Sequence, residues 1–464
     1  MSLSTVFDPE LIRRYDGVGP RYTSYPTAPH FNSRFGAPEL VKAIRESNED
    51  PIPRSLSLYA HIPFCFSPCF YCGCNRIITR DADTKQAYLE TLLKEIRLLA
   101  PLFDRDREVV QLHLGGGTPN SLTGAQLAEL MAEFRRNFHF APERERDFSI
   151  EIDPRTVDAA DIGTLREIGF NRVSLGIQDF DPQVQQAINR LQDTGRIGTI
   201  LDACRRHGFQ SVNFDLIYGL PMQNTETFAA TLDTVAGMRP DRIALYSYAH
   251  MPELFKAQNK INVVTLPDPE RKLALFQLAV ERLIGEGYVY IGMDHFALPG
   301  DELSRAQDSG DLHRNFMGYT TRKQTDLVGF GVSAISQIAD CYAQNAKDLP
   351  TWTAHVESGR PATVKGLCTH ADDRIRAEVI QSIMCQGRVD FAEFEQRFGI
   401  VFREYFAAEL DGLPALAEDG LLALDGRGLQ VLPRGRLLLR VIAARFDAYL
   451  PKKPVQQIPL SKVL

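Results

Sequence analysis

One rhythm limits the fold of this chain more than any other feature. Apolar runs recur at Leu56 to Ile62, Val109 to Leu114, Phe148 to Ile152, Arg172 to Ile177, Ser211 to Ile217 and Arg242 to Tyr248. Runs of this kind fit strands buried on both faces of a parallel sheet. Between them, Thr84 to Ala100, Gly124 to Phe138, Asp158 to Ile168, Gly195 to His207 and Thr225 to Met238 carry apolar residues at three- and four-residue spacing, as amphipathic helices do. Repeats of strand then helix, joined by right-handed crossovers, curl into a partial or full β/α barrel. The predicted class is therefore α/β, with a partial (β/α)6-type barrel at its centre. In such barrels chemistry sits at the C-terminal ends of the strands.

After about residue 265 the rhythm changes to a long helix (Asp268 to Gly287), a strand (Tyr288 to Gly292) and a polar loop region up to about Leu327. From Ala371 onward the pattern is helices, a short hairpin within Gly420 to Val431, and a last helix from Pro433 to Tyr449, an order that resembles a winged helix. Arg434, Arg436, Arg440 and Arg445 on that helix suit DNA phosphates, a solvated face or a lid over a polyanion. The charge balance decides against the first: 52 Lys+Arg against 59 Asp+Glu give a net charge of −7, without the basic footprint of a nucleic-acid binder. No apolar stretch reaches the ~20 residues needed to span a bilayer, and the opening residues lack the basic-then-apolar order of a signal peptide. The expected location is the cytoplasm, with no membrane insertion.

Eight cysteines in a short exported chain would imply disulfides; this chain is long and shows no export signal, so none are expected. Cys204, Cys341, Cys368 and Cys385 are scattered among apolar neighbours and read as small core fillers. The other four fall in one window, His61-Ile-Pro-Phe-Cys65-Phe-Ser-Pro-Cys69-Phe-Tyr-Cys72-Gly-Cys74, directly after the first strand. Cys65, Cys69 and Cys72 form a C-x3-C-x2-C pattern, suited to three corners of an iron–sulfur cube with one iron left open. Zinc usually takes paired ligands with a second pair far along the chain, and that second pair is missing; zinc held by all four thiolates remains the alternative. In an extended segment Cys72 and Cys74 point in opposite directions, which places Cys74 outside the ligand set.

Further candidates stand at successive strand ends. Gly115-Gly116-Gly117-Thr118-Pro119 follows the second strand; such a run either lets a ligand approach the backbone or makes a sharp turn. It lacks the Lys-Ser/Thr of a P-loop. Glu151 ends the third strand, Gln178 and Asp179 the fourth, and Asp215 the fifth. A buried carboxylate without a partner costs several kcal/mol by order of magnitude, so each needs a salt bridge or a ligand. Carboxylates suit ribose hydroxyls and amino groups, and Arg190 suits a carboxylate. Together they outline a nucleoside-plus-amino-acid ligand such as S-adenosylmethionine.

The cysteine loop with Tyr71 before its third cysteine, the glycine turn and the strand-end carboxylates resemble the radical S-adenosylmethionine superfamily. Pro20-Arg-Tyr-Thr-Ser-Tyr-Pro-Thr27, His61-Ile-Pro-Phe-Cys65, Cys72-Gly-Cys-Asn75, Gly176-Ile-Gln-Asp-Phe180, Asp215-Leu-Ile-Tyr-Gly-Leu-Pro221 and Gly292-Met-Asp-His-Phe296 resemble the oxygen-independent coproporphyrinogen III oxidases, over essentially the whole chain. The resemblance implies a radical SAM barrel over 51–335, an N-terminal extension over 1–50 that contributes to the substrate pocket, and a mostly helical, winged-helix-like domain over 336–464. It implies one 4Fe-4S cluster on Cys65, Cys69 and Cys72 and two molecules of S-adenosylmethionine. Tyr59, Gly116, Glu151 and Ile335 would hold the first; Tyr71, Gly117, Thr118, Gln178, Arg190, Asp215 and Ala249 the second. Tyr71 stands where the family often has Phe. Tyr59, His61 and Glu151 are the candidate catalytic residues.

The implied activity converts two propionates of coproporphyrinogen III to vinyl groups, giving protoporphyrinogen IX. No side-chain base can take the unactivated β-hydrogen as a proton, so a deoxyadenosyl radical must take it. A low-potential donor such as flavodoxin or ferredoxin would supply the electron. Arg13, Arg14 and Arg21 are candidates for a basic rim around the anionic macrocycle, and Tyr22 and Tyr25 for gating residues. A haem-binding chaperone of the same superfamily is the rival reading. The Cys72-Gly-Cys74 ending and the Tyr22-Thr-Ser-Tyr25 stretch favour the oxidase. A winged-helix regulator carrying a redox cluster is a third reading, and it would need a basic recognition surface.

Overall fold

The computed structural model describes residues 5–17 and 19–450. The chain forms two compact units. One comprises His30–Lys272 with Gln324–Cys368; the other comprises Met1–Pro29, Leu273–Lys323 and Thr369–Leu464.

In the first unit the six apolar runs are strands β1 (Ser55–Ile62), β2 (Glu108–Gly116), β3 (Asp147–Ile152), β4 (Arg172–Gln178), β5 (Ser211–Tyr218) and β6 (Arg242–Ser247), parallel and adjacent in chain order. The crossovers carry α1 (Ala82–Leu99), α2 (Gly124–Asn137), α3 (Ala159–Ile168), α4 (Pro182–Ala187), α5 (Thr194–Arg206) and α6 (Thr225–Met238). Each starts at a side-chain cap, from Asp81, Thr123, Asp158, Asp181, Asp193 and Asn224 respectively, which satisfies N–H groups that a helix leaves open. On the far side of β1 the sheet continues through parallel β7 (Thr325–Phe330) and an antiparallel meander of β8 (Ile335–Ile338), β9 (Cys341–Asn345) and β10 (Thr363–Cys368). The apolar rhythm does not announce this extension, because short meander strands carry too few residues for a period.

Alternation along β1 sets the two faces of the sheet. Leu56, Leu58, Ala60 and Ile62 are wholly buried on one side, and Ser57, Tyr59 and His61 project to the other. Register pairs Tyr59 with His113 of β2, and His113 with Ser149 of β3, so one face is polar in a continuous row.

One expectation is corrected here. Cys341 and Cys368 are not core fillers: they lie directly opposite each other on β9 and β10 and are joined as a disulfide. Cys204 is buried, as expected.

The predicted long helix forms over Pro269–Gly285, and in the second unit Val289–Gly292 forms the predicted strand. The stretch read as polar loop holds a helix (Glu302–Ser309) and a small hairpin (His313–Asn315 with Gly318–Thr320). Leu422–Leu424 and Gly428–Val431 make the predicted hairpin, extended by Arg388–Asp390 to three strands, and Cys385 is buried beneath. The last helix is not continuous: Pro433–Leu438 and Ala444–Phe446 are 3₁₀ turns around a short α-helix, Leu439–Ala443. Two of its arginines turn inward. Arg436 is 1% exposed and donates to the carbonyls of Tyr290 (3.1 Å) and Ile291 (3.2 Å); Arg440, 4% exposed, donates to Pro20 O at 2.9 Å and to Gly19 O. Burial pulls Arg440 down to about 10. These two are internal ties, not phosphate ligands. Tyr22 and Tyr25 are likewise core residues of this unit, 1% and 3% exposed, hydrogen-bonded to Asp447 and to the Ala448 N–H, which is not the setting of gating residues. Arg14 pairs with Asp419, and Arg21 with Asp294. Among the described residues no helix is long and apolar enough to cross a membrane.

Glu95 of α1 ties the first unit together. Its carboxylate, fully buried, accepts from Gly331 N–H (2.6 Å), Asn345 Nδ2 (2.8 Å) and Trp352 Nε1 (3.2 Å). Burial outweighs these donors and raises the carboxyl from 4.5 to about 7. A raised acid binds its proton more tightly when folded, so its stabilising contribution is full below pH 4.5 and is lost as pH rises to about 7. Denaturant titrations of the unsubstituted protein and Glu95→Gln across that window should differ by a slope of up to ~1.4 kcal/mol per pH unit. Identical slopes would contradict the burial of a protonated Glu95.

Candidate active site

The C-terminal ends of β1 to β5 surround a cavity of about 320 Å³. Its wall includes Cys65, Cys69, Cys72, Tyr71, Gly116, Gly117, Thr118, Glu151, Gln178, Arg190 and Asp215, so eleven of the residues singled out in the sequence meet around one space. Tyr59, His61, Ala249 and Ile335 are not on that wall. Tyr59 and His61 stand behind it, Ile335 opens β8 with its backbone packed against Gly329, and Ala249 offers a carbonyl to Gln258 Nε2 (3.1 Å). That same amide donates to Tyr71 O at 3.0 Å, which fastens the stretch after β6 to the cysteine loop.

The loop is closed at its base by a two-residue ladder, Phe64–Cys65 with Ile77–Ile78. Arg76 clamps it from within, donating to the carbonyls of Cys69 (3.2 Å) and Cys72 (3.1 Å). His61 completes the anchor. Its Nε2–H donates to Asn75 O at 2.9 Å, a bond to a carbonyl that fixes the tautomer and leaves Nδ1 to accept from Tyr59 Oη at 3.0 Å. Burial lowers the His61 pKa, in keeping with a neutral ring.

Each cysteine has its own surroundings. Cys65 Sγ lies 3.3 Å from Thr118 Oγ1, and burial pushes its thiol to about 11. Cys69 Sγ faces two guanidinium groups, Arg190 Nη1 at 3.3 Å and Arg155 Nη2 at 3.8 Å. Cys72 is pulled down to about 6, first by a hydrogen bond with the Cys74 thiol, against the opposing effect of burial, and also by the charge of Arg76. The expectation that Cys74 points away from Cys72 is thus corrected. The segment is not extended: Gly73 packs on the Phe255 ring, where a Cβ would stand 3.0 Å away, and the chain turns so that both sulfurs meet and both line the cavity.

The glycine turn resolves into packing. Gly116 has φ +116°, and a Cβ there would lie 2.5 Å from the His61 ring; at Gly117 it would lie 2.7 Å from Pro63 O. Their N–H groups are used as well, Gly116 on Glu151 Oε2 (3.0 Å) and Gly117 on Ile62 O (2.8 Å). Glu151 is steadied from its other oxygen by His113 Nε2 at 3.4 Å, whose Nδ1 meets Ser149 Oγ at 2.6 Å and whose ring stacks on Tyr59. Asp215 accepts from Ser174 Oγ and Asn213 Nδ2, both at 2.9 Å. Burial, helped by the charge of Glu151, lifts Asp215 to about 7.

Sequence reasoning named Arg190 on this wall but missed its neighbours Asp153 and Arg155. Arg190, 7% exposed on its side chain, spends Nε and Nη2 on Gly176 O and shares Asp153 with Arg155. Burial opposes the charge on Asp153, but the two arginines hold its pKa below the ordinary value. Arg190 is raised in turn: burial opposes its charge, and the neighbouring Asp153 and Cys69 favour it. Asp153-Pro154-Arg155 follows β3 directly and opens a 3₁₀ turn, where a polar tripeptide looks like any loop. The available signal was its position, directly after the strand that ends in Glu151.

This donor set fits an iron–sulfur cube. Four thiols line one cavity, among them the Cys65, Cys69 and Cys72 trio, of which one is lowered to about 6 and another lies beside two cations, and thiolates are the ligands such clusters require. Among the described residues no three His, Cys, Asp or Glu side chains converge at the spacing of a single bound ion.

Comparison with known proteins agrees with this geometry. A family model described as the radical SAM superfamily matches residues 59–235, and one described as the HemN C-terminal domain matches residues 369–438. The chain is 48% identical over 445 residues to the oxygen-independent coproporphyrinogen III oxidase of Pseudomonas aeruginosa, with 96% of each chain covered. It is 48% identical over 451 residues to the protein of that name from Escherichia coli, with 97% of each covered. A solved structure, the coproporphyrinogen III oxidase HemN of Escherichia coli, described as a radical SAM enzyme, matches with a TM-score of 0.91 at 47% identity, over 96% of this chain and 100% of that one.

The tight fit at Gly116 makes a direct test. Gly116→Ala should lower stability by about 1 to 3 kcal/mol in denaturant titrations, through its positive φ and the overlap with His61. An unchanged midpoint would contradict the packing described here.

Proposed function

The chain belongs to the oxygen-independent coproporphyrinogen III oxidases of the radical SAM superfamily, and from that premise we propose how its cavity carries out the oxidative decarboxylation of two coproporphyrinogen III propionates to vinyl groups. The observation that carries the proposal is the meeting of Cys65, Cys69 and Cys72 with Glu151, Asp215 and Arg190 around one space. Cys65, Cys69 and Cys72 would hold the 4Fe-4S cluster. When bound, the cluster and S-adenosylmethionine supply a deoxyadenosyl radical able to take the propionate β-hydrogen.

The protein's own residues position and exclude. Glu151, held by Gly116 N–H and His113, keeps lone pairs for the ammonium of a first S-adenosylmethionine, while Tyr59 and Ile335 support that side from behind the wall. Asp215, steadied by Ser174 and Asn213, suits ribose hydroxyls of a second molecule, lying on the side of Tyr71, Gly117, Thr118, Gln178 and Arg190, with Ala249 securing the backbone behind Tyr71. In this reading Tyr59 and His61 are positioning residues: both ring nitrogens of His61 are occupied by protein partners, so its task is to hold the cysteine loop through Asn75. No base of the required strength lines the cavity. The Tyr71 hydroxyl, raised by burial, stays protonated. A low-potential carrier such as flavodoxin or ferredoxin would reduce the cluster, and nucleic acid has no place in the scheme.

Relatives named as oxidases at 48% identity over nearly the whole chain favour decarboxylation over haem delivery by a chaperone. Anaerobic incubation with coproporphyrinogen III, dithionite and S-adenosylmethionine should yield protoporphyrinogen IX, followed by chromatography of the oxidised porphyrins. Cys65→Ser, Cys69→Ser and Cys72→Ser should each lose iron–sulfur absorption and turnover, and Cys74→Ser should keep its iron. Iron loss in the Cys74 variant would overturn the three-ligand assignment, and haem binding without decarboxylation would overturn the activity.

A further inference from the structure

We propose that Arg155, fixed by Asp153, acts together with Arg190 to set the reduction potential of the cluster at its Cys69 corner. The inference rests on the reading of Cys65, Cys69 and Cys72 as cluster ligands and adds a residue to which that reading gives no role.

The geometry is specific. Arg155 sits on the 3₁₀ turn Pro154–Thr156, immediately beyond β3. Asp153 grips it through three contacts: Nε to Oδ1 at 3.0 Å, Nε to Oδ2 at 3.1 Å and Nη2 to Oδ2 at 2.7 Å. The same Nη2 is aimed at Cys69 Sγ, 3.8 Å away. Arg190 approaches that sulfur from β4's side at 3.3 Å, and its Nη1 lies 3.4 Å from the same Asp153 oxygen. Cys69 is buried, so water screens these charges weakly. One carboxylate between two guanidinium groups leaves a net charge of +1 beside a single ligand sulfur.

The electrostatics follow from this count. Reduction moves one electron from a low-potential donor onto the cluster, which becomes more negative by one charge. Positive charge and N–H donors at a ligand sulfur stabilise the more negative state and raise the potential. Arg190 faces the cavity from the side assigned to the second S-adenosylmethionine, so its charge is shared with that ligand. Arg155 has its donors on Asp153, on Asn189 O at 3.5 Å and on Cys69, which leaves the sulfur as its functional target. A merely structural Arg155 would affect folding and iron content and leave the potential alone.

The test is an electron paramagnetic resonance titration of full-length, iron-loaded protein against potential. Arg155→Met should lower the ratio of reduced to oxidised cluster about tenfold at a fixed potential, a midpoint about 59 mV more negative for a one-electron couple. Arg155→Lys should stay close to the unsubstituted value. Asp153→Asn, which leaves two cations uncompensated, should move the midpoint the opposite way, to more positive potential. Midpoints that do not move, or that move in the same direction in Arg155→Met and Asp153→Asn, overturn the inference. If Arg155→Met fails to hold iron, the sign in Asp153→Asn decides alone: a positive shift supports it, and no shift or a negative one refutes it. Failure of the underlying reading looks different, because the unsubstituted protein would then show no iron–sulfur absorption at all.

Discussion

The parallel pairing of β1, β2 and β3 in one register is the constraint on which the rest of the site depends. Tyr59 stands opposite His113 and His113 opposite Ser149, while Leu58, Leu112 and Phe148 are aligned on the other face. A slip of one residue would exchange the two sets, sending leucines into the cavity and histidines among the helices. Because the register holds, Glu151 arrives beside the glycine turn, His61 reaches the end of the cysteine loop, and both loops are fastened to the same sheet edge.

Fastening matters because the chemistry demands position more than acid–base strength. The cysteine loop is anchored by Arg76 on two carbonyls, by His61 on Asn75 and by the Phe64–Cys65 ladder with Ile77–Ile78, so its sulfurs are placed by backbone bonds made before any ligand arrives. A radical abstraction is governed by the separation and orientation of the reacting atoms, and a preformed scaffold supplies that with little reorganisation. The buried charges obey the same logic. Asp153 is tolerable in the interior because two arginines flank it, and Asp215 because a hydroxyl and an amide satisfy it.

Much of this was legible in the sequence, for physical reasons that also explain what was not. The barrel strands are long apolar runs, and a polar residue that interrupts a run stands out; Glu151 and Gln178 were visible for that reason at or next to strand ends, and Asp215 as well, although it lies three residues before the end of β5 rather than at it. The cysteine trio announces itself by spacing alone. His113 escaped notice because it lies inside a strand, where a polar residue looks like an ordinary alternation. Asp153 and Arg155 lie just past the end of their strand, and only the folded chain brings Arg155, gripped by Asp153, to Cys69, 86 positions away. The Cys341–Cys368 disulfide depends on the pairing of β9 with β10, which a separation of 27 residues does not encode. The last segment carries a helical pattern that three short turns satisfy equally well, and two of its arginines, Arg436 and Arg440, point inward, where the backbone carbonyls of Tyr290 and Pro20 receive them.

The measurement that bears most directly on the account is electron paramagnetic resonance of anaerobically reconstituted, dithionite-reduced protein, before and after addition of S-adenosylmethionine. An iron cube held by Cys65, Cys69 and Cys72 with one open corner gives a paramagnetic signal whose shape changes when the sulfonium ligand binds that corner. A reduced sample without such a signal, or with one that ignores the ligand, would contradict the assignment of this cavity as a radical-generating site.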